Sequence, residues 1–208
     1  MARAVLTPRY MKASGTLLVM TMSAASPAVD SEWKTVRTDP DGLAVESRAV
    51  PQAALPELRV TTLADAPTSA LIAAAWELRD DGMQTKYLAK RRVLAESQNE
   101  RTLFLQYEPP IISPRQCVLR QVRWADAATG AWRMRFHALR FTPAEGAAAF
   151  AHLRGEWSFA PDASGATRVT YVVLIDVGGV PALLARGPQQ DATVATVREV
   201  VERAEATR

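Results

Sequence analysis

The sequence predicts an α+β domain in which a curved antiparallel sheet wraps around one long C-terminal helix, and three observations predict it. From residue 33 to residue 176, apolar and polar residues alternate in short runs joined by tight turns, the pattern of successive hairpins. After Gly178-Gly179 the period lengthens to that of a helix and holds to about Glu205. Of the 208 residues, 48% are apolar, enough for a sizeable core. A bent sheet must cover one face with something, and only the last helix is long enough to lie across it.

Trp33–Arg37 and Leu43–Arg48 form a first hairpin around Asp39-Pro40-Asp41-Gly42, in which each residue type favours a turn. Leu58–Leu63 is a third strand. Asp65-Ala66-Pro67 then opens a helix, with Asp65 as the expected cap and proline tolerated in the first turn. Its expected apolar face is Leu71, Ala74, Ala75 and Leu78, and Asp80-Asp81-Gly82 ends it. Three further hairpins follow: Arg91–Ser97 with Arg101–Tyr107, Cys117–Ala125 with Ala131–Leu139, and Arg154–Ala160 with Thr167–Asp176. In Ala131–Leu139, Trp132, Met134, Phe136 and Ala138 share one face and Arg133, Arg135 and His137 the other. Pro181 starts the last helix, and Pro188 is expected to kink it or split off its first turns. Leu183, Leu184, Ala192, Ala195, Thr196 and Val200 are expected on its inner stripe, with Glu199, Glu202 and Arg203 exposed.

Charge places limits on the partners. The chain has 25 Lys and Arg against 22 Asp and Glu, a formal charge of +3. Arg3, Arg9 and Lys12 account for that excess, so residues 30–208 are formally neutral. No basic stripe of the kind a nucleic acid requires is visible along the chain, and Lys90-Arg91-Arg92 reads as the solvated start of a strand. Residues 1–29 read as a signal peptide or a disordered tail. Bases come first, then an apolar stretch from Ala13 to Met22, then small residues around Ser23-Ala24-Ala25. The stretch is too short to span a bilayer. The expectation is an exported chain, periplasmic or secreted, with residues 30–208 as its one domain; a cytoplasmic chain is the alternative if this segment is no signal. Cys117 is the sole cysteine, so no internal disulfide forms.

Motifs for phosphate-cradling loops, dinucleotide binding, thiol redox chemistry, zinc hydrolysis and the serine nucleophile elbow are absent from the sequence. His137 and His152 lack metal-ligand spacing. No cofactor, metal or catalytic residue is therefore expected. What remains is an apolar concave sheet facing a helix with small residues at Ala192, Ala195 and Thr196. Interiors pack to crystal density, so such a gap holds a ligand or costs stability.

Three stretches resemble the StAR-related lipid-transfer (START) domains. One runs through Arg154-Gly155-Glu156-Trp157, Pro161, Gly165, Thr167, Val169-Thr170-Tyr171, Asp176, Gly178-Gly179 and Pro181. The others are Pro110-Ile111-Ile112-Ser113-Pro114-Arg115 and Leu55-Pro56-Glu57-Leu58-Arg59-Val60. Gln116 departs from the acid usual after the Pro-Arg pair. The resemblance covers about residues 32–205 and implies a helix-grip fold with a hydrophobic tunnel between sheet and last helix. It implies a monomer that binds a lipid or sterol-like molecule without catalysis and touches membranes transiently, with no nucleic acid involved.

Sterol-binding relatives often bury an acid and an arginine facing the tunnel. Counted from Pro114-Arg115, those places fall at Thr102 and Gln121, with Arg120 or Arg123 as substitutes in a shifted register. The expected lining is then Thr102, Phe104 and Gln106 on one strand, Leu119, Gln121 and Arg123 on the next, and Met134 and Phe136 on the third. Val169, Tyr171 and Val173 complete the sheet's share, facing Ala192, Ala195 and Thr196. Tyr171 is either the polar contact of the tunnel or a core tyrosine. Ile111 and Ile112 form a gate, or simply cap the core, with Arg115 anchoring the loop's base. A polyketide cyclase or dehydratase on the same fold, and an interaction module without ligand, are the alternative functions.

Overall fold

A computed structural model describes residues 32–78, 87–108 and 112–207. The expected turn at Asp80-Asp81-Gly82, the leader at 1–29 and Ile111 lie outside the described residues.

The first hairpin joins β1 (Lys34–Thr38) to β2 (Ala44–Arg48). Its turn closes through Gly42 N–H to the Asp39 carbonyl at 3.0 Å, and Gly42 takes the positive φ of 82° that such a turn demands. β3 (Glu57–Ala64) leads into α1 (Thr68–Trp76). Asp65 does not cap this helix. Pro67 occupies the cap, and the Asp65 N–H donates instead to Glu205 at the far end of the chain. α1 buries Leu71, Ile72, Ala75 and Trp76, while Ala74 and Leu78 pack against the core from its margin.

The remaining strands are β4 (Leu88–Glu96), β5 (Glu100–Tyr107), β6 (Arg115–Asp126), β7 (Ala131–Leu139), β8 (Ala148–Ala149), β9 (His152–Pro161) and β10 (Thr167–Asp176). The two-residue β8 was not expected; it runs parallel to the start of β6. The sheet runs β1-β2-β3-β10-β9-β7-β6-β5-β4, antiparallel at every step of that path. The last strand thus sits beside the third, and β1 and β4 are its two edges.

α2 (Ala182–Glu205) is one unbroken helix despite Pro188. Proline removes the N–H that would bond the Leu184 carbonyl. Leu184 stands in the first turn and is 67% exposed, where a helix tolerates the loss of one bond. Leu183 is 86% exposed, so neither leucine belongs to the inner stripe. That stripe is Gln189, Thr193, Val194, Thr196, Val197, Val200 and Ala204, spaced three and four apart. Glu199 is half-buried rather than exposed and pairs with Arg203 one turn on.

Candidate ligand cavity

The inner face of the sheet is built from cross-strand rows. One row is Arg101, Gln121, Phe136, Gly155 and Val173 on β5, β6, β7, β9 and β10. The next is Arg123, Met134, Trp157 and Tyr171. Trp157 stacks on Tyr171 with ring centroids 4.0 Å apart and on Phe159 at 5.7 Å. Gly155 explains the Gly-x-Trp spacing. A Cβ there would collide with the Phe136 ring, so only glycine lets that ring lie flat across its neighbour strand.

Between these rows and α2 lies a cavity of about 160 Å³. β5, β6 and β7 supply Leu103, Leu105, Leu119, Met134 and Phe136; β9 and β10 supply Leu153, Trp157, Tyr171 and Ile175. Ala75 of α1 and Leu78 just past its end close one side, and α2 the other with Ala192, Thr193 and Thr196. The Thr193 and Thr196 hydroxyls donate to the carbonyls of Gln189 and Ala192, one turn back at 2.7 and 2.9 Å, so neither requires a partner from the cavity.

The polar groups lie at defined places. Arg101 is buried, donates through Nε to Gln121 Oε1 at 2.5 Å, and lies over the Trp76 ring at 4.4 Å. Arg123 also lies over the Trp76 ring, at 4.3 Å. Tyr171 lines the cavity, and no described residue hydrogen-bonds its hydroxyl. Burial drives its phenol pKa well above the ordinary value, with the neighbouring Tyr107 adding to the shift. Cys117 is likewise buried, its thiol pushed up to about 12 by desolvation.

The cavity lining includes, of the residues expected there, Leu119, Gln121, Met134, Phe136, Tyr171, Ala192 and Thr196. It differs on β5. Thr102, Phe104 and Gln106 point to the outer face, and Arg101, Leu103, Leu105 and Tyr107 line the cavity in their place. A one-residue change of phase moves every side chain of a strand to the opposite face. Phe104 meets Phe141 edge-on there, and Gln106 accepts from Gln116. Ala195 is exposed, one helical step from the buried Thr196. Arg123 lies in an inner row, yet it packs on Trp76 and donates to the Gln98 carbonyl rather than lining the cavity. Val169 and Val173 are fully buried in the core beside the cavity. Arg91, expected in solvent, lines it.

Arg115 links Ser113 to the residues that follow β10. Its Nη1 donates to Ser113 O and Oγ, and its Nε and Nη2 to the Val177 and Gly178 carbonyls at 2.6 and 2.8 Å. These bonds tie Ser113 and Arg115 to the corner between β10 and α2. Ile112 is half-buried. Among the described residues, no group of three His, Cys, Asp or Glu is placed to hold a metal, and no helix is long and apolar enough to cross a membrane.

No protein-family model matches the chain, and no curated protein matches its sequence. Solved structures do match. The STAR-related lipid transfer protein of Xanthomonas axonopodis superposes with a TM-score of 0.67 at 19% identity, over 83% of this chain and 98% of that one. Human StAR-related lipid transfer protein 5 gives 0.69 at 12% identity, over 84% and 87%. The Zhui aromatase/cyclase of a Streptomyces species gives 0.46 at 18% identity, over 72% and 93%. The fold is therefore the helix-grip fold of the StAR-related lipid-transfer domains, with a long C-terminal helix against an unclosed antiparallel sheet of 10 strands.

Proposed function

We propose that this chain binds a hydrophobic small molecule, a lipid or a part of one, between sheet and α2 and carries it through water. The observation that supports this reading is the apolar cavity with one hydroxyl, that of Tyr171, left without a described hydrogen-bond partner. An apolar cavity costs stability when empty and holds apolar ligands readily; about 150 Å³ suffices for a benzene-sized guest. Burying about six methylenes, roughly what such a space seats, would contribute about 5 kcal/mol, sub-millimolar affinity before ordering costs.

At about 160 Å³ the cavity seats one ring or a stretch of acyl chain. A whole sterol or a second chain requires the first turns of α2 and the loop before Arg115 to part. Those turns are lightly held, since Leu183 and Leu184 face solvent. In this reading Ile111, Ile112 and these leucines form the gate that meets a membrane surface, with Arg115 as its fixed base. The carrier works as an exported monomer without cofactor.

The test is to extract purified protein with organic solvent and identify the released molecules by mass spectrometry. A stoichiometric lipid that is absent from a Thr196→Trp preparation is the expected result. A protein that releases nothing, and whose thermal stability no lipid or fatty acid raises, would overturn the reading.

A further inference from the structure

A second groove of about 390 Å³ opens where β7 and β9 diverge, beneath the segment that links them, with Phe150 and Leu153 as the wall it shares with the inner cavity. Both histidines of the chain line it, His137 and His152, together with Arg140 and Arg154, and no Asp or Glu does. Strand register assembles this charge. Thr102, Arg120, His137 and Arg154 stand side by side across β5, β6, β7 and β9, so three basic residues occupy one cross-strand row.

The nearby carboxylates are spread thinly. Glu100 holds Arg120 at 2.7 Å, Glu156 is shared between Arg133 and Arg135, and Glu57 is shared between Arg48 and Arg154, the latter at 3.3 Å. His152 Nε2 lies 3.2 Å from the Gln52 carbonyl. No described residue makes a hydrogen bond or ion pair with the side chain of His137 or Arg140. Beside this basic rim lie Leu139, 36% exposed, and Phe141.

We infer that this groove is a second ligand site, for a phosphate monoester, free or as the headgroup of a lipid. The guanidinium of Arg140 and the imidazole of His137, with Arg154 and His152 on the same rim, can donate to an anion of charge near −2 with three acceptor oxygens. The apolar residues beside the rim accommodate the carbon attached to the ester.

Titration calorimetry at low ionic strength with inorganic phosphate, against chloride at matched ionic strength, reads the free form. Co-sedimentation with phosphatidylcholine vesicles, with and without phosphatidic acid, reads the headgroup form. The comparison protein carries His137→Gln and Arg140→Gln, two exposed side chains whose loss leaves the melting temperature unchanged. Saturable phosphate binding below about 1 mM, weakened at least about tenfold in the variant, assigns a free phosphate. Retention only on phosphatidic acid vesicles, lost in the variant, assigns the headgroup. No saturable binding in either arm, or binding equally strong in the variant, overturns the site. Phosphate binding by protein first stripped of extractable lipid separates this site from the inner cavity, with which it shares Phe150 and Leu153.

Discussion

Tyr171 places a phenol in an apolar wall, and two measurements follow from that placement. Tyr171→Phe removes a hydroxyl that no described protein group satisfies, so the apo domain should keep its stability to within about 0.5 kcal/mol. A ligand that hydrogen-bonds the phenol should bind about 3- to 10-fold more weakly to the variant, by the worth of one hydrogen bond. The alkaline limb of stability checks the same residue. Its folded pKa lies above its unfolded value of 10.0, so the unfolded chain loses the proton first. Stability therefore falls as pH rises above about 10, and Tyr171→Phe should flatten that fall. Cys117 gives a third reading. With its thiol pushed up to about 12 and its side chain buried, it should resist thiol reagents at pH 8 until the protein unfolds. Rapid labelling of the native protein would contradict this placement.

At the scale of the element, α2 decides the shape of the cavity, and adjacent positions on it should behave oppositely. Thr196→Trp projects into the cavity and should abolish ligand uptake, with about 1–3 kcal/mol lost to overpacking. Ala195→Trp projects into solvent and should alter neither uptake nor melting temperature. A Gly155→Ala variant should displace the Phe136 ring that lines the cavity and weaken binding, and should also lower stability because the new Cβ meets the Val172 carbonyl. The outer side of α2 is latched to the first hairpin by ion pairs: Arg198 with Asp39 and Asp41 at 2.7 and 2.8 Å, and Arg37 with Asp39 and Asp191. Arg37 and Arg198 hold the Asp39 and Asp41 carboxyls below their ordinary 3.8. The latch is thus complete above that value and is lost as pH falls through the lowered ones. Arg198→Ala should lower the melting temperature slightly at pH 7, and the two proteins should converge in acid. A constant gap across that range would show that the pairs do not carry the effect.

For the molecule as a whole, the open question is traffic. Export rests on the order of bases, apolar stretch and small residues in 1–29. The expected mature N-terminus lies between about Ala25 and Val29, read by N-terminal sequencing of protein from the native host. Met1 or Met11 retained in a cytoplasmic fraction would refute export. Transfer between vesicles tests the gate. Ile111→Ser with Ile112→Ser should slow transfer while stability stays nearly unchanged; a loss of several kcal/mol would mark both isoleucines as core caps. Unchanged transfer in a stable double variant would remove the loop from the mechanism.

Local pattern carried the architecture. Turn residues such as Asp39-Pro40-Asp41-Gly42, the period-two runs and the Pro181 helix start are encoded by neighbours in the chain, so every strand but β8 and both helices were legible. The side of β5 that faces the cavity was legible too, though counting from Pro114-Arg115 missed it. Leu103, Leu105 and Tyr107 are all apolar, while Thr102 and Gln106 flank Phe104 on the other face. The same holds for α2, where Val194, Val197 and Val200 mark the inner stripe that Ala195 lies beside. Other features depend on residues far apart in the chain. Gly155 makes sense only beside Phe136, Arg101 only between Trp76 and Gln121, and the basic row Arg120–His137–Arg154 only once β6, β7 and β9 are in register. A linear scan for basic stripes cannot see a row that runs across strands. Propensity and periodicity act over a few residues and so can be read along the chain; cavity shape and cross-strand charge arise from pairing over tens of residues, which tertiary packing alone decides.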